Sequence, residues 1–145
     1  MTSVAAQSPS VPPSPVLATV ADVMRRSMTT VDQYDHVAAA AYLMKHAATS
    51  ALMVVDTRTG QTVGVITERD VADAVADGKD VNAVRVHAAM TTRRAVIDAT
   101  ATIREAAKIM TSGHFRHLPV AGRDGVLGIV DINDVCRALI GPDEG

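Results

Sequence analysis

The stretch "GVITERDV", residues 64–71, returns as "GIVDINDV" at residues 128–135. In each copy a glycine-led apolar run stops at a polar residue, Thr67 or Asp131, and a second apolar run begins after Asp70 or Asp134. A hydroxyl or carboxylate followed three residues later by an acid, ahead of an apolar run, is the signature of a helix N-terminus. The pattern therefore predicts a strand that passes directly into a helix, twice. Working outward, the duplication holds along both halves. Met24 matches Met90 and Asp32 matches Asp98, 66 positions on; at the same spacing Val37, Ala40, Met44, Leu52 and Val54 fall on Ile103, Ala106, Met110, Leu118 and Val120. By Gly64 and Gly128 the spacing has fallen to 64, so two residues have been lost in a turn.

Each copy reads in the same order. A short extended segment, "TTV" or "AVI", leads into an amphipathic helix, "DHVAAAAYLMKH" or "TIREAAKIMTS", with apolar residues at helical spacing and, in the second, a capping box at Thr102 and Glu105. Two apolar strands follow across a turn: "LMVVD" and "TVGVIT" around "TRTGQ", then "LPV" and "VLGIV" around "AGRDG". A last helix ends at Gly78 in one copy and at Gly141-Pro142 in the other. The fold class is thus α+β, two β-α-β-β-α repeats at 16–78 and 79–141. Units of about 60 residues bury their surface poorly alone, so the halves are expected to pack together about a pseudo-twofold axis.

Composition narrows the function classes. Apolar residues make up 48% of the 145, aromatics only 2%, so the core is aliphatic. A net charge of -2, with no basic cluster beyond Arg25-Arg26 and Arg93-Arg94, disfavours nucleic-acid binding; these pairs read as solvated. The longest apolar run, "VAAAAYLM" at 37–44, is far short of the ~20 residues of a membrane span. Residues 1–15 hold four of the six prolines and no charge, which predicts a flexible tail rather than a secretory signal, and a cytoplasmic protein. Cys136, the single cysteine, reads as a buried structural thiol on an apolar helix face. His114 and His117 stand three apart without a cysteine or third histidine, a weak metal signal, and no nucleophile and base pairing marks an enzyme.

"DVM" early in the repeat, "HLPV" on a strand and the glycine-led run into T-x-x-D resemble tandem cystathionine-β-synthase (CBS) domains, the pair called a Bateman module. The resemblance covers residues 16–141. It implies a flat module with two clefts related by the pseudo-dyad, taking adenosine derivatives such as AMP, ADP, ATP or S-adenosylmethionine, with no obligatory cofactor. It also implies a regulatory role toward another protein and assembly as a homodimer.

On that resemblance Thr67 and Asp70 are the phosphate and ribose residues of one cleft. A helix beginning at Thr67 directs backbone N–H groups and the positive end of its dipole at a phosphate, and Asp70 can accept two hydrogen bonds from a ribose diol. The same two residues would serve equally as a helix cap with no ligand, and both readings stay open. The second copy carries Asp131 in place of the hydroxyl residue, with Asp134 kept; a carboxylate there repels phosphate, or simply caps the helix. Arg116 and His117 stand where the first copy has Ser50 and Ala51. Arg116 is expected to reach a phosphate seated on Thr67 and Asp70, with His117 assisting in a pH-sensitive way; alternatively Arg116 neutralises Asp131. The alternative function is a structural or protein-interaction module without ligand.

Overall fold

The computed structural model describes residues 18–26, 29–90 and 95–141. The expected tail at 1–15 and the pair Arg93-Arg94 lie outside the described residues. A 3-10 turn at Val20–Asp22 precedes β1 (Thr30–Asp32), α1 (Val37–Ala47), β2 (Ala51–Asp56), β3 (Gln61–Thr67) and α2 (Glu68–Ala76). The second half follows with α3 (Val86–Ala89), β4 (Ile97–Asp98), α4 (Ile103–Gly113), β5 (His117–Gly122), β6 (Gly125–Asp131) and α5 (Ile132–Ile140). The β-α-β-β-α order expected from the repeat is present in both halves, each preceded by one short helical turn.

Each half holds a three-stranded sheet in which the first strand runs parallel to the second and the second antiparallel to the third. The register slips at the same place in both, between Val54 and Val55 and between Val120 and Ala121, just where Gly64 and Gly128 face Val54 and Val120. Strand residues alternate between two faces. Leu52, Val54 and Ile66 turn toward α1, while Ala51, Met53 and Val65 turn the other way and pack with Ile129 of the second half. Burial on both faces explains why these strands read as unbroken apolar runs. The residues paired by the repeat spacing, Val37 with Ile103, Ala40 with Ala106 and Leu52 with Leu118, are all fully buried, the last two pairs in equivalent cores.

The halves are interlocked by their leading segments. Val20 lies in the second core, its N–H donating to Ala101 O at 2.8 Å, and Arg25 forms a reciprocal backbone pair with Ile129 of β6 at 2.8 and 3.1 Å. In the other direction Val86 packs in the first core and donates to Asp35 O at 2.8 Å. Each leading segment thus completes the core of the other half, which lets two units too small to close alone share their burial. Asp32 and Asp56 stitch the turn end of the first sheet: Asp32 accepts from Tyr34 and Thr57 N–H, and Asp56 from Gln33 and Arg58. Arg58 beside Asp56, and the turn amides beside Asp32, hold both carboxyls below the usual carboxylate range.

Cys136 departs from expectation. It is exposed, because on α5 the inward face is set by Asp134, Val135 and Ala138 and the intervening position turns to solvent. No described helix is long and apolar enough to cross a membrane.

Candidate functional site

The β3–α2 junction forms as the sequence predicts. Thr67 is extended, at φ -119° and ψ 167°, and α2 starts at Glu68. Asp70 N–H donates to Thr67 Oγ1 at 3.2 Å, and Thr67 N–H donates to Asp70 Oδ2 at 2.9 Å, a reciprocal capping box. Glu68 N–H is also committed, to Ser50 O at 3.0 Å. Several N–H groups that the sequence reading offered to a phosphate are therefore taken up within the chain. The junction also carries the helix dipole, the Thr67 hydroxyl and the buried Asp70 carboxylate.

The junction opens on a cavity of about 730 Å3 between the halves. Thr67 and Asp70 line it from the first half; His114, Arg116, His117 and Pro119 line it from the second. Four of the six residues singled out in the sequence, Thr67, Asp70, Arg116 and His117, thus share one cleft. Arg116 is exposed and sits at the mouth of β5, its carbonyl accepting Ile132 N–H at 2.8 Å. Its long cation is one of two arginines on the described cleft lining, the other being Arg69 of α2.

His117 lines the same cleft from a half-buried position. Its side chain is only 10% exposed, and its Nε2 lies 2.9 Å from Ser50 Oγ and 3.3 Å from Asp131 Oδ2, so it bridges the halves at the cleft floor. Burial lowers its pKa, and the neighbouring Arg116 adds to this; the negative charges of Asp131 and Glu68 oppose them without reversing the shift. The ring is neutral at neutral pH, so the positive charge among the described lining residues comes from Arg69 and Arg116. The Ser-His-Asp grouping is not a nucleophilic triad, since both partners meet the same ring nitrogen and a triad needs one on each. Among the described residues Asp131 makes no ion pair with Arg116: its partners are His117 and Asn133 N–H, the latter at 2.6 Å.

Asp131 and Asp134 belong to the β6–α5 junction, where the sequence equivalence breaks down in geometry. Asp131 caps α5 by itself, and Asp134 makes no reciprocal box with it. Two carboxylates three residues apart repel one another, which favours turning Asp134 to cations instead. Asp134 is buried, with Arg25 Nε 3.4 Å from Oδ2 and Arg137 Nη1 3.2 Å from Oδ1. Arg25, read from the sequence as a solvated residue, is the site residue that reading missed. Its partner lies 109 positions away, and no local pattern points to it. Among the described residues no three His, Cys, Asp or Glu side chains gather as metal ligands.

A family model described as CBS domain matches residues 20–77 and again 83–141. An uncharacterized 17.7 kDa protein of Acidianus ambivalens is 37% identical over 105 residues, covering 72% of this chain and 62% of that protein. The match thus spans less than two thirds of that relative's own length. The structure of a protein with CBS domains from Burkholderia ambifaria superposes with a TM-score of 0.80 at 30% identity, covering 88% of this chain and 98% of the other. CBSX2, solved in complex with AMP, is similar at 26% identity and a TM-score of 0.70, over 84% of this chain and 96% of its own. With both repeats matched, and with their strand order, junctions and interlocked cores in place, the chain belongs to the CBS-domain family as a tandem pair.

Proposed function

We propose that this chain is a regulatory CBS pair that binds an adenine nucleotide in the cleft of the β3–α2 junction and signals its occupancy to a partner protein, without catalysing a reaction. The observation that carries this reading is the meeting of Thr67, Asp70 and Arg116 in one cavity of about 730 Å3, a size within the ~300–1,000 Å3 range of small-molecule sites. A ribose diol is an apt partner for the Asp70 carboxylate, whose two oxygens offer about four acceptor positions. Arg116 supplies a charge-assisted bond to phosphate, and Val65, Ala95 and Pro119 supply apolar walls for a base. The similar protein CBSX2 was solved with AMP, which supports the ligand class.

The capping box at Thr67 and Asp70 favours a second reading, a structural or interaction module in which the junction only ends a strand and starts a helix. Thermal melting with adenosine, AMP, ADP, ATP and S-adenosylmethionine separates the two. A ligand of the folded state at 100 times its Kd adds about 2.7 kcal/mol, or roughly 5–10 °C for a chain of this size. AMP should raise the melting temperature more than adenosine, because Arg116 acts on the phosphate. Unchanged melting with all five at millimolar concentration would leave the cap reading in possession.

A further inference from the structure

α1 and α4 end in the same turn, yet the two turns carry different side chains. α1 closes at Ala48 and α4 at His114, both left-handed, at φ 53° and 58°. The residue after each reaches back to a buried methionine, Thr49 N–H to Met44 O and Phe115 N–H to Met110 O, both at 3.0 Å. At the repeat spacing of 66, Ala47 and Thr49 have become Gly113 and Phe115. The turn itself therefore does not require an aromatic ring, since Thr49 closes it with a hydroxyl side chain. The glycine goes with the ring: a Cβ on Gly113 would collide with Phe115 Cε2 and Cδ2, so the alanine of the first half would push the ring from its place.

That place is the cavity. Phe115 is half-buried, packs against the second core and borders the cavity, as Ala95 and Pro119 do. It is the single phenylalanine of a chain without tryptophan, and the two tyrosines lie elsewhere, Tyr34 against His87 and Tyr42 against His46. Asp70 and Arg116 offer partners to a diol and a phosphate, and a plain sugar phosphate carries both. An aromatic wall adds what they lack, a surface for a flat base.

We propose that Phe115, seated over Gly113, is the base platform of the cleft: its ring stacks a nucleobase and so selects a nucleotide over a sugar phosphate of the same charge. This rests on the reading of the cavity as a nucleotide site. Stacking of a base on an aromatic side chain is worth about five- to a hundred-fold in affinity. The contribution belongs to the base alone, so it is the same for adenosine and AMP.

Isothermal titration with both ligands tests the proposal, melting curves having checked that each variant is folded. Phe115→Leu should weaken AMP and adenosine by the same factor, about five- to a hundred-fold, while Phe115→Tyr, which keeps the ring, should bind as wild type does. Phe115→Trp puts one tryptophan into a chain that has none; AMP should quench its emission, and ribose 5-phosphate should not. AMP affinity undiminished in Phe115→Leu, an equal loss in Phe115→Tyr, or AMP bound to Phe115→Trp with no change in emission would overturn the platform and leave the nucleotide site standing. No AMP binding by the wild type would overturn both readings together.

Discussion

Gly128→Ala should be among the costliest single-methyl additions to this chain. The added Cβ would meet Arg25 O at 2.3 Å and Arg25 C at 3.1 Å, both backbone atoms that no rotamer change can move. Relief requires the leading segment to lift from β6, which breaks the Arg25 N–H to Ile129 O bond at 2.8 Å and the Ile129 N–H to Arg25 O bond at 3.1 Å. Two net hydrogen bonds at about 0.5–1.5 kcal/mol each, with overpacking at about 1–3 kcal/mol, give a loss of roughly 2–6 kcal/mol. For a domain of this size that lowers Tm by about 5–20 °C. Gly122→Ala is the matched control. Its Cβ would meet only the side chain of Leu127, nearest at 2.6 Å, and Leu127 is 38% exposed and free to rotate outward; a loss of about 1 kcal/mol or less is expected. Circular dichroism melts of the two variants decide it. A Gly128→Ala protein melting within about 2 °C of wild type, or a Gly122→Ala protein that falls as far, would refute the interlocked leading segment as a rigid part of the fold.

Two more outcomes follow from the site and the surface. His117 is held below its usual value of about 6.5, so the folded chain binds that proton more weakly than the unfolded one; its contribution is complete above about pH 6.5 and is lost as pH falls through that value toward the lowered one. Melting temperature should decline across that window, well above the carboxylate range near pH 4, and the decline should shrink in His117→Gln; an identical pH profile for the variant would show that the ring does not carry the effect. Tyr42 on α1, Val75 on α2, and Leu139 and Ile140 on α5 leave apolar side chains exposed on helices, a surface suited to pairing with a second copy in a C2 dimer. Sedimentation should then give twice the 15.2 kDa chain mass, and a single monomeric species at micromolar concentration would count against it.

The strands, helices and core were legible because the duplication supplies two readings of every element. Leu52 and Leu118, or Met44 and Met110, identify each other as interior positions, and Thr67 and Asp131 each do start a helix. Cys136 was misread because α5 carries apolar residues around much of its circumference, Leu139 and Ile140 being exposed as well, so composition gave no phase. The crossing of the leading segments was not legible at all. It is made by main-chain bonds such as Arg25 to Ile129, which leave no periodicity in the side chains. The role of Arg25 was hidden with it, and so was the bridge from Ser50 through His117 to Asp131, which joins residues from different halves. The shared cleft of Thr67, Asp70 and Arg116, by contrast, was visible once the halves were expected to face each other.

Titration of AMP into wild type, Asp70→Asn and Asp134→Asn tests the central claim most directly. Asparagine keeps a carbonyl oxygen to accept Thr67 N–H, so Asp70→Asn preserves the cap while removing the charged acceptor offered to ribose. Wild type should bind AMP, Asp70→Asn should lose about ten- to a hundred-fold in affinity, and Asp134→Asn should change it little. Equal losses in the two variants, or AMP binding that survives Asp70→Asn undiminished, would contradict the account.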